Sequence, residues 1–342
     1  MAVSPVPIGH PWWLDTPESA AREAWAVRSR GLPRYMTAIA LLAAGSIATF
    51  AVNGAEWTAT LAAVAKPRDG VPASLLAAYR VCAACWAVGE SVSCCLTQAT
   101  IEYEDLDRKS HAMRSSGIWR LQGLTQWAWL VIGAYFSLAG AISLRILCAS
   151  DGDATHLHES GLVANVAVSL LELGWSYAIF VTVNVTFVLI PARARRGEAG
   201  AFYSHWGLVM HNANVGLMLG ELLLDTLHIS LAHAPLAPLF GLGYLTWHNT
   251  YRYARTRTLL YFTANWQAPR ALTILLGLFL LETTAYALGW LACTLRESAA
   301  GCVALAVGAR LIMRLRPMAI DAPPSKQART SERPEARGPK QS

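Results

Sequence analysis

Eight apolar segments, most of them long enough to cross a lipid bilayer, limit the folds that are open to this chain. They lie at about residues 35–54, 74–97, 120–146, 162–190, 205–225, 236–252, 270–293 and 299–313. A helix needs about 20 residues to cross a hydrocarbon core, a length that the sixth and eighth segments barely reach. Only 15% of the 342 residues are charged, whereas a soluble domain is usually about a quarter charged. The sequence therefore predicts an all-α transmembrane bundle of about seven or eight spanning helices.

Basic residues are distributed unevenly between the gaps that separate these segments. Arginines concentrate before the first segment, in the gaps after the second, fourth and sixth, and after the eighth. The alternate gaps are poor in them, and one holds the acidic residues Asp151, Asp153 and Glu159. Cytosolic loops carry an excess of Lys and Arg. We therefore expect a multi-pass protein of an endomembrane or the plasma membrane, with both termini in the cytosol.

Three regions follow from this pattern. Residues 1–34 are predicted to form a cytosolic N-terminal segment, and residues 35–313 the transmembrane domain. Residues 314–342 are rich in Pro, Ser, Lys, Arg and Glu, which is typical of a disordered basic tail. The net charge of +6 arises in loops beside the membrane rather than on a soluble basic surface. Membrane lipids, and not nucleic acid, are therefore the expected partners.

The seven cysteines do not indicate a disulfide framework. Cys82 and Cys85 have the spacing of a metal or redox pair, but they fall inside an apolar segment with two further cysteines. Packing between helices is the favoured interpretation there. Cys293 and Cys302 are positioned to bridge a short turn between the last two segments. We expect neither a metal ion nor a cofactor.

The fifth apolar segment contains a group of polar residues. His211, Asn212 and Asn214 lie within two turns of each other, and Glu221 follows further along the same segment. A polar group held in hydrocarbon is costly unless it faces protein or water. The group therefore indicates a functional site, although hydrogen bonding between helices would also account for His211.

Thr125 in the third segment is expected at nearly the same depth as His211. Both segments begin on the cytosolic side, so at about 1.5 Å per residue Thr125 lies roughly 7.5 Å deep and His211 roughly 9 Å deep. Further polar residues are predicted to fall in or near this layer: Asn184, Asn214, His248 and the deeper Glu221. Such a layer is typical of a polar cavity between apolar helices, which suits a lipid with a polar group.

This arrangement allows nucleophilic acyl transfer. A histidine can take the proton of a threonine hydroxyl and later deliver it to a leaving alcohol. Thr125 is the candidate nucleophile and His211 the candidate base, while Asn214 is placed to orient the ring or to stabilise an oxyanion. A structural interpretation stays open for Thr125, because threonine hydroxyls in membrane helices commonly bond to a carbonyl one turn earlier.

The residues around this pair resemble a known family. The run from Met210 to Glu221, the sequence Gly243-Tyr244-Leu245-Thr246-Trp247 and the segment from Tyr261-Phe262 to Trp266 are similar to the androgen-induced-gene family of integral-membrane proteins. Leu124-Thr125-Gln126-Trp127 resembles the upstream signature of that family, as found in its plant-type and rolling-stone-like branches. The resemblance covers roughly residues 75–293.

Enzymes of that family are threonine hydrolases that cleave fatty acid esters of hydroxy fatty acids. The resemblance implies Thr125 as nucleophile, His211 as base and a lipid ester as substrate. Two other functions stay open. A non-catalytic membrane protein, such as a transporter or a rolling-stone-like fusion or adhesion factor, would not need Thr125. A bis-histidine haem bundle would use His211 and His248.

Overall fold

Nine helices make up most of the described chain. The computed structural model describes residues 31–52, 57–104, 106, 110–149, 161–195 and 199–317. Within these ranges the helices are α1 (Leu32–Val52), α2 (Leu61–Val64), α3 (Ala73–Leu96), α4 (Leu124–Leu147), α5 (Leu162–Ala194), α6 (His205–Leu224), α7 (Leu236–Trp247), α8 (Ala271–Leu295) and α9 (Ala299–Ile312). Six of them, namely α1, α3, α4, α5, α6 and α8, are long and apolar enough to cross a membrane. This pattern is that of an integral, multi-pass membrane protein.

Two of the predicted spans form helices shorter than a bilayer. The regular helix α7 has 12 residues and α9 has 14, which correspond to about 18 Å and about 21 Å. The chain stays helical beyond α7 as far as Thr256, but His248, Asn249 and Arg252 end its apolar run. The predicted count of seven or eight spans is therefore not confirmed, because six helices of the described chain meet the required length.

A β-hairpin joins α3 to α4, although the sequence predicted helices alone. Its strands β1 (Ala99–Glu104) and β2 (Ser110–Ser115) are antiparallel, and the pairing runs from Ala99 opposite Ser115 to Glu104 opposite Ser110. Polar and apolar residues alternate within Thr100-Ile101-Glu102-Tyr103, as they do in a strand. This signal covers only four residues, which is too short to stand out beside two long apolar helices.

Small residues bring α3 and α4 close together. A Cβ added to Gly133 would lie 3.3 Å from the Ala87 Cβ, and one added to Gly140 would lie 3.5 Å from the backbone nitrogen of Val81. Small residues at such contacts let helix backbones approach each other in a membrane. The Trp129 indole donates to the Ala87 carbonyl at 3.0 Å. These contacts position the first turn of α4, which contains Thr125.

All seven cysteines are free thiols. The predicted bridge between Cys293 and Cys302 is wrong, because each thiol bonds to a backbone carbonyl instead, at 3.9 Å and 3.3 Å. Cys82 and Cys85 are exposed on the surface of α3. Within the described residues no three His, Cys, Asp or Glu side chains are grouped so that they could hold a metal ion.

Polar contacts between helix termini define the two ends of the bundle. The Arg68 backbone N–H donates to the Leu224 carbonyl at 2.9 Å, and the Arg68 guanidinium donates to the Arg296 carbonyl. The loop before α3 therefore meets the C-terminal ends of α6 and α8. We call this end the Arg80 end, after the buried arginine described next. The opposite end, where α4 begins, is called the Thr125 end.

A buried ion network holds the Arg80 end together. Arg80 donates from Nε to Glu221 Oε1 at 2.8 Å and lies 3.5 Å from Asp225. Tyr135 donates to the same Glu221 oxygen at 2.5 Å, and Arg296 pairs with Asp225 at 2.9 Å. The network connects α3, α4, α6 and the end of α8. Charges within membrane spans are rare unless they are paired in this way.

Glu172 of α5 has its partners in the loop between α6 and α7. Its carboxylate accepts hydrogen bonds from the Ser230 backbone N–H at 2.9 Å and from His233 Nδ1 at 2.9 Å. The His233 ring stacks on Trp57 with 4.2 Å between ring centroids. These contacts attach the loop to the bundle.

The end of α9 is attached to α5 and α6. The Arg314 backbone N–H donates to Asn212 Oδ1 at 2.7 Å, and the Thr186 hydroxyl donates to the Ile312 carbonyl at 2.7 Å. Arg314, predicted as the first residue of a disordered tail, is instead buried. Residues 1–30 and 318–342, which hold most of the two predicted terminal regions, lie outside the described residues. The predicted acidic run at 151–159 lies outside them as well.

Candidate functional site

A polar cavity of about 180 Å³ lies at the Thr125 end of the bundle. Thr125 of α4 and His211 of α6 both line it. The other lining residues are Ile101, Arg120, Gln122, Gly123, Gln126, Leu189, Arg193, Phe202, Leu260 and Tyr261. A polar space of this size has room for several water molecules. Two residues that the sequence places on different helices thus border one cavity.

The surroundings of Thr125 are set by the first turn of α4, in which it is the second residue. The first backbone N–H groups of a helix lack partners within the helix and carry partial positive charge. The Leu124 N–H donates to the Tyr261 phenol at 3.1 Å. A Cβ added to Gly123 would lie 3.0 Å from that phenol oxygen. Glycine therefore leaves room for Tyr261 to approach Thr125.

The Thr125 hydroxyl differs from those of several threonines inside the membrane helices. Hydroxyls of Thr49, Thr246 and Thr284 each donate to the carbonyl four residues earlier, at 2.8 Å in all three cases. These are the structural bonds expected of threonine in a membrane helix. The Thr125 hydroxyl contacts the Tyr261 phenol instead, and the side chain is 7% exposed. The hydrogen bond to a carbonyl one turn earlier, which a purely structural role of Thr125 predicts, is therefore not found at this residue.

Tyr261, in the loop after α7, is a site residue that the chemical argument from sequence missed. Burial raises the pKa of its phenol, an effect that hydrogen bonds with the Thr125 side chain and with the backbone of Thr125 and Leu124 partly oppose. The phenol therefore keeps its proton at neutral pH and can act as a donor. The available signal was the aromatic segment beginning at Tyr261, which also carries part of the family resemblance.

His211 lies in a π turn, Val209–Ala213, within α6. Such turns are frequent at functional sites. The Gly207 backbone, one turn earlier, contacts the His211 ring. Nδ1 is buried and makes no hydrogen bond of good geometry among the described residues, and the Phe202 ring lies 5.6 Å from the imidazole ring. No hydrogen bond joins His211 directly to Thr125 in the described part of the chain. A buried polar nitrogen without a partner is unusual in proteins and calls for an explanation such as a catalytic role or a water.

Thr182 and Asn214 support the π turn from outside the cavity. The Thr182 hydroxyl donates to the His211 carbonyl at 2.6 Å and lies 3.2 Å from Asn214 Oδ1. Asn214 Oδ1 also accepts the Val215 backbone N–H at 2.8 Å. Asn214, predicted to orient the histidine ring or stabilise an oxyanion, does not line the cavity. Its contacts reach His211 through the backbone.

A second, apolar cavity of about 50 Å³ adjoins Thr125. Its lining residues are Leu124, Thr125, Phe180, Val181, Asn184, Val185, Leu189, Gly241, Tyr244, Leu245, Tyr261, Thr263, Ala264, Leu278 and Glu282. Most of the lining side chains are apolar. Thr125 and Tyr261 line this cavity as well as the polar one. They therefore lie between an apolar space and a polar space.

Arginines give the polar cavity a positive wall. Arg120 and Arg193 line it, and none of its lining residues is acidic. Arg120 is 8% exposed and donates to the Thr97 hydroxyl at 3.2 Å. Gln122, which adds an amide to the wall, accepts a hydrogen bond from Arg252 at 2.8 Å. A guanidinium suits carboxylate and phosphate groups, so the cavity favours an anionic occupant.

His248 and Glu221, predicted in the polar layer, lie outside both cavities. His248 Nδ1 bonds to Asn249 at 2.8 Å, and Nε2 accepts the Leu260 backbone N–H at 3.1 Å. With both ring nitrogens engaged, His248 holds the loop and does not fit the role of a haem ligand. Glu221 forms an ion pair with Arg80 and therefore belongs to the Arg80 end of the bundle.

Three π turns occur in the helices around this site. Besides the turn that contains His211, they are Val185–Leu189 in α5 and His248–Arg252 after α7. Leu189, the last residue of the π turn in α5, lines both cavities. A π turn inserts one residue into a helix and redirects the side chains that follow. The hydropathy pattern does not reveal these turns, because the turn in α5 is mainly apolar whereas the other two contain several polar residues.

Comparison of the chain with protein families, with curated proteins and with solved structures finds no match. The resemblance to the androgen-induced-gene family therefore stays a prediction from the quoted motifs.

Proposed function

We propose that the protein is a membrane-embedded threonine hydrolase that cleaves lipid esters, such as fatty acid esters of hydroxy fatty acids. One observation carries the proposal: Thr125 and Tyr261 line both the apolar and the polar cavity. An acyl chain in the apolar cavity and the alcohol part of the ester in the polar cavity would bring the ester carbonyl to Thr125. The resemblance to the androgen-induced-gene family supports the same nucleophile.

The proposed reaction passes through an acyl-threonine. His211 takes the proton of the Thr125 hydroxyl, directly or through a water, as the hydroxyl oxygen attacks the ester carbonyl. The Tyr261 phenol and the first turn of α4 stabilise the oxyanion. The bond to the alcohol oxygen then breaks, and His211 returns the proton to that oxygen. Water cleaves the acyl-threonine by the same steps, which releases a fatty acid and restores Thr125.

The positive wall of the polar cavity supports an alcohol part that bears a negative charge. A fatty acid ester of a hydroxy fatty acid has this character, because its alcohol part ends in a free carboxylate. Arg120 and Arg193 line the cavity in which that carboxylate would lie. A charge-assisted hydrogen bond to arginine is about twice as strong as a neutral one.

The proposal includes the orientation of the protein in the membrane. The Thr125 end carries Arg114, Arg120, Arg193, Arg255 and Arg270, whereas arginines are fewer in the loops of the other end. The positive-inside rule favours the Thr125 end in the cytosol, together with both termini. The substrate would then enter from the cytosolic leaflet of an endomembrane or the plasma membrane.

Labelling of the detergent-solubilised protein with a fluorescent fluorophosphonate tests the proposed nucleophile. We expect wild-type protein to be labelled, and Thr125→Ala and His211→Ala to lose the label. Thr284→Ala is the matched control, because that exposed hydroxyl only bonds to its own helix. Turnover of a fatty acid ester of a hydroxy fatty acid should follow the same pattern. Equal turnover by Thr125→Ala and wild type would refute the mechanism and favour a non-catalytic membrane protein.

A further inference from the structure

Two polar side chains interrupt the apolar cavity beside Thr125. Glu282 of α8 and Asn184 of α5 line it among residues such as Phe180, Val181 and Leu278. Glu282 is 6% exposed. Among the described residues, the Asn184 amide has no hydrogen-bond partner. A cavity built only to enclose a hydrocarbon chain would not need either group.

Gly241 of α7 leaves the space that the Glu282 carboxyl occupies. A Cβ at Gly241 would lie 2.2 Å from Glu282 Oε1 and 2.4 Å from Oε2. The Tyr177 phenol contacts the same carboxyl and donates its proton to the Ala237 carbonyl at 3.0 Å. A phenol has one proton to donate. The carboxyl therefore keeps hydrogen-bonding capacity for a group inside the cavity.

The chemistry of these two groups identifies the kind of occupant. A buried carboxyl or amide costs free energy unless a partner completes its hydrogen bonds. A saturated chain would leave the Asn184 amide without a partner, and it would leave the Glu282 carboxyl with Tyr177 alone. A hydroxyl both donates and accepts, so it can bond to an amide and to a carboxyl in either protonation state.

We propose that the apolar cavity selects an acyl chain that carries a hydroxyl group, with Glu282 and Asn184 as the residues that determine this specificity. The assignment of the bound hydrocarbon chain as the acyl part of an ester rests on the proposed hydrolase function. Glu282 lies about three turns into α8, or roughly 16 Å along it, whereas Thr125 lies in the first turn of α4. The hydroxyl is therefore well separated from the ester carbonyl along the chain.

Paired substrates test this specificity in the intact protein. Hydrolysis of the p-nitrophenyl esters of 12-hydroxystearate and stearate should favour the hydroxylated ester by about tenfold in wild type, the effect of one hydrogen bond to a buried polar group. Glu282→Leu should remove this preference, so that the ratio of the two rates falls to about one. Glu282→Gln, which keeps a donor and an acceptor, should retain most of it. Equal rates on both esters in wild type would overturn the proposal.

A second variant guards against a Glu282→Leu protein that fails to fold. Gly241→Ala would displace the Glu282 carboxyl and should also reduce the preference. Gly243→Ala is the control: it lies two residues later, a Cβ there would meet no other atom within 4 Å, and the preference should be kept. A preference that survives both Glu282→Leu and Gly241→Ala would show that these residues do not select the chain.

Binding measurements separate this proposal from the proposed hydrolysis. The affinities of 12-hydroxystearate and stearate are compared by intrinsic tryptophan fluorescence with Thr125→Ala protein, which needs no turnover. If no ester is cleaved but the hydroxylated acid binds about tenfold more tightly, the hydrolase proposal fails and the specificity of the cavity stands. Equal affinities, together with ester cleavage by the wild type, would leave the hydrolase intact and overturn the role of Glu282 and Asn184.

Discussion

The Tyr261 phenol oxygen lies 3.1 Å from the backbone nitrogen of Leu124, and it links a loop after α7 to the first turn of α4. Because the phenol accepts this N–H, its own proton is available to the Thr125 oxygen or to an oxyanion that forms beside it. Arg252, buried in the same region, bonds to Gln122 just before α4. The geometry of the candidate nucleophile thus depends on residues far away in sequence.

Replacement of Tyr261 by Phe should lower kcat for ester hydrolysis by roughly 10²-fold and change KM little. The physical reason is that the phenol is expected to donate to the oxyanion, an interaction made only in the transition state. Steady-state kinetics on a purified sample would measure both constants. Tyr251→Phe is the control, because Tyr251 is 48% exposed and lines neither cavity. A higher KM with unchanged kcat would assign Tyr261 to substrate binding instead.

The activity should not fall through ionisation of Tyr261 anywhere below about pH 10, the usual pKa of tyrosine. Burial raises the pKa of this phenol above that value in the folded protein. The neutral donor is therefore retained, and the stability linked to it is lost only as the pH rises above 10. A pH–rate profile of wild type and Tyr261→Phe measures the effect. A loss of activity near pH 8 in wild type that disappears in Tyr261→Phe would contradict the raised pKa of Tyr261.

Thr125 and His211 should behave as one unit. Each single change to Ala is expected to remove nearly all hydrolysis, and the double variant should lose little more, because a nucleophile without its base contributes almost nothing. Single-turnover rates of the three variants and the wild type would provide the comparison. Losses that multiply in the double variant would instead mean that the two residues act independently.

The helix starts and the rise per residue are enough to predict similar depths for Thr125 and His211. They do not predict which side chains face the cavity. The three π turns shift that facing, and they share no hydropathy pattern that would predict them. Asn214 is an example: it lies one turn after His211 in α6, but its side chain contacts Thr182 and does not line the cavity.

Long-range partners were also beyond a sequence argument. Glu221 was expected in or near the polar layer because its segment contains His211, but its position follows from Arg80 in another helix. Hydropathy describes each segment alone and does not contain such pairs. The number of spans is also hard to predict from hydropathy, because α7 becomes polar where its π turn begins.

Replacement of Arg120 by Gln should raise KM about tenfold for an ester whose alcohol part carries a free carboxylate, the effect expected from the loss of a charged hydrogen bond. The methyl ester of the same substrate should show little change, because it has no charge for the guanidinium to bind. Kinetics with the two substrates would distinguish charge recognition from a loss of structure. An equal rise in KM for both would mean that Arg120 acts by holding Thr97 and the cavity wall.

The two ends of the bundle should differ in accessibility in intact cells. Asp69 lies in the exposed loop before α3, and Arg195 is exposed at the Thr125 end. In a cysteine-free background, Asp69→Cys should react with a membrane-impermeant maleimide when the protein is at the plasma membrane. Arg195→Cys should react only after permeabilisation. The reverse pattern would invert the proposed orientation, and equal labelling before permeabilisation would exclude it.

Replacement of Arg80 by Met should destabilise the protein by about 3–5 kcal/mol, because it leaves the buried Glu221 and Asp225 carboxylates without that partner. Denaturant titration in detergent, followed by tryptophan fluorescence, would measure the free energy of unfolding. Arg145→Met is the matched control: Arg145 is exposed at the end of α4, and its loss should change stability by less than about 0.5 kcal/mol. If the two variants were equally stable, the ion network would contribute nothing to the fold. Adding Glu221→Leu to Arg80→Met should recover part of the loss, since one of the uncompensated buried charges is then removed.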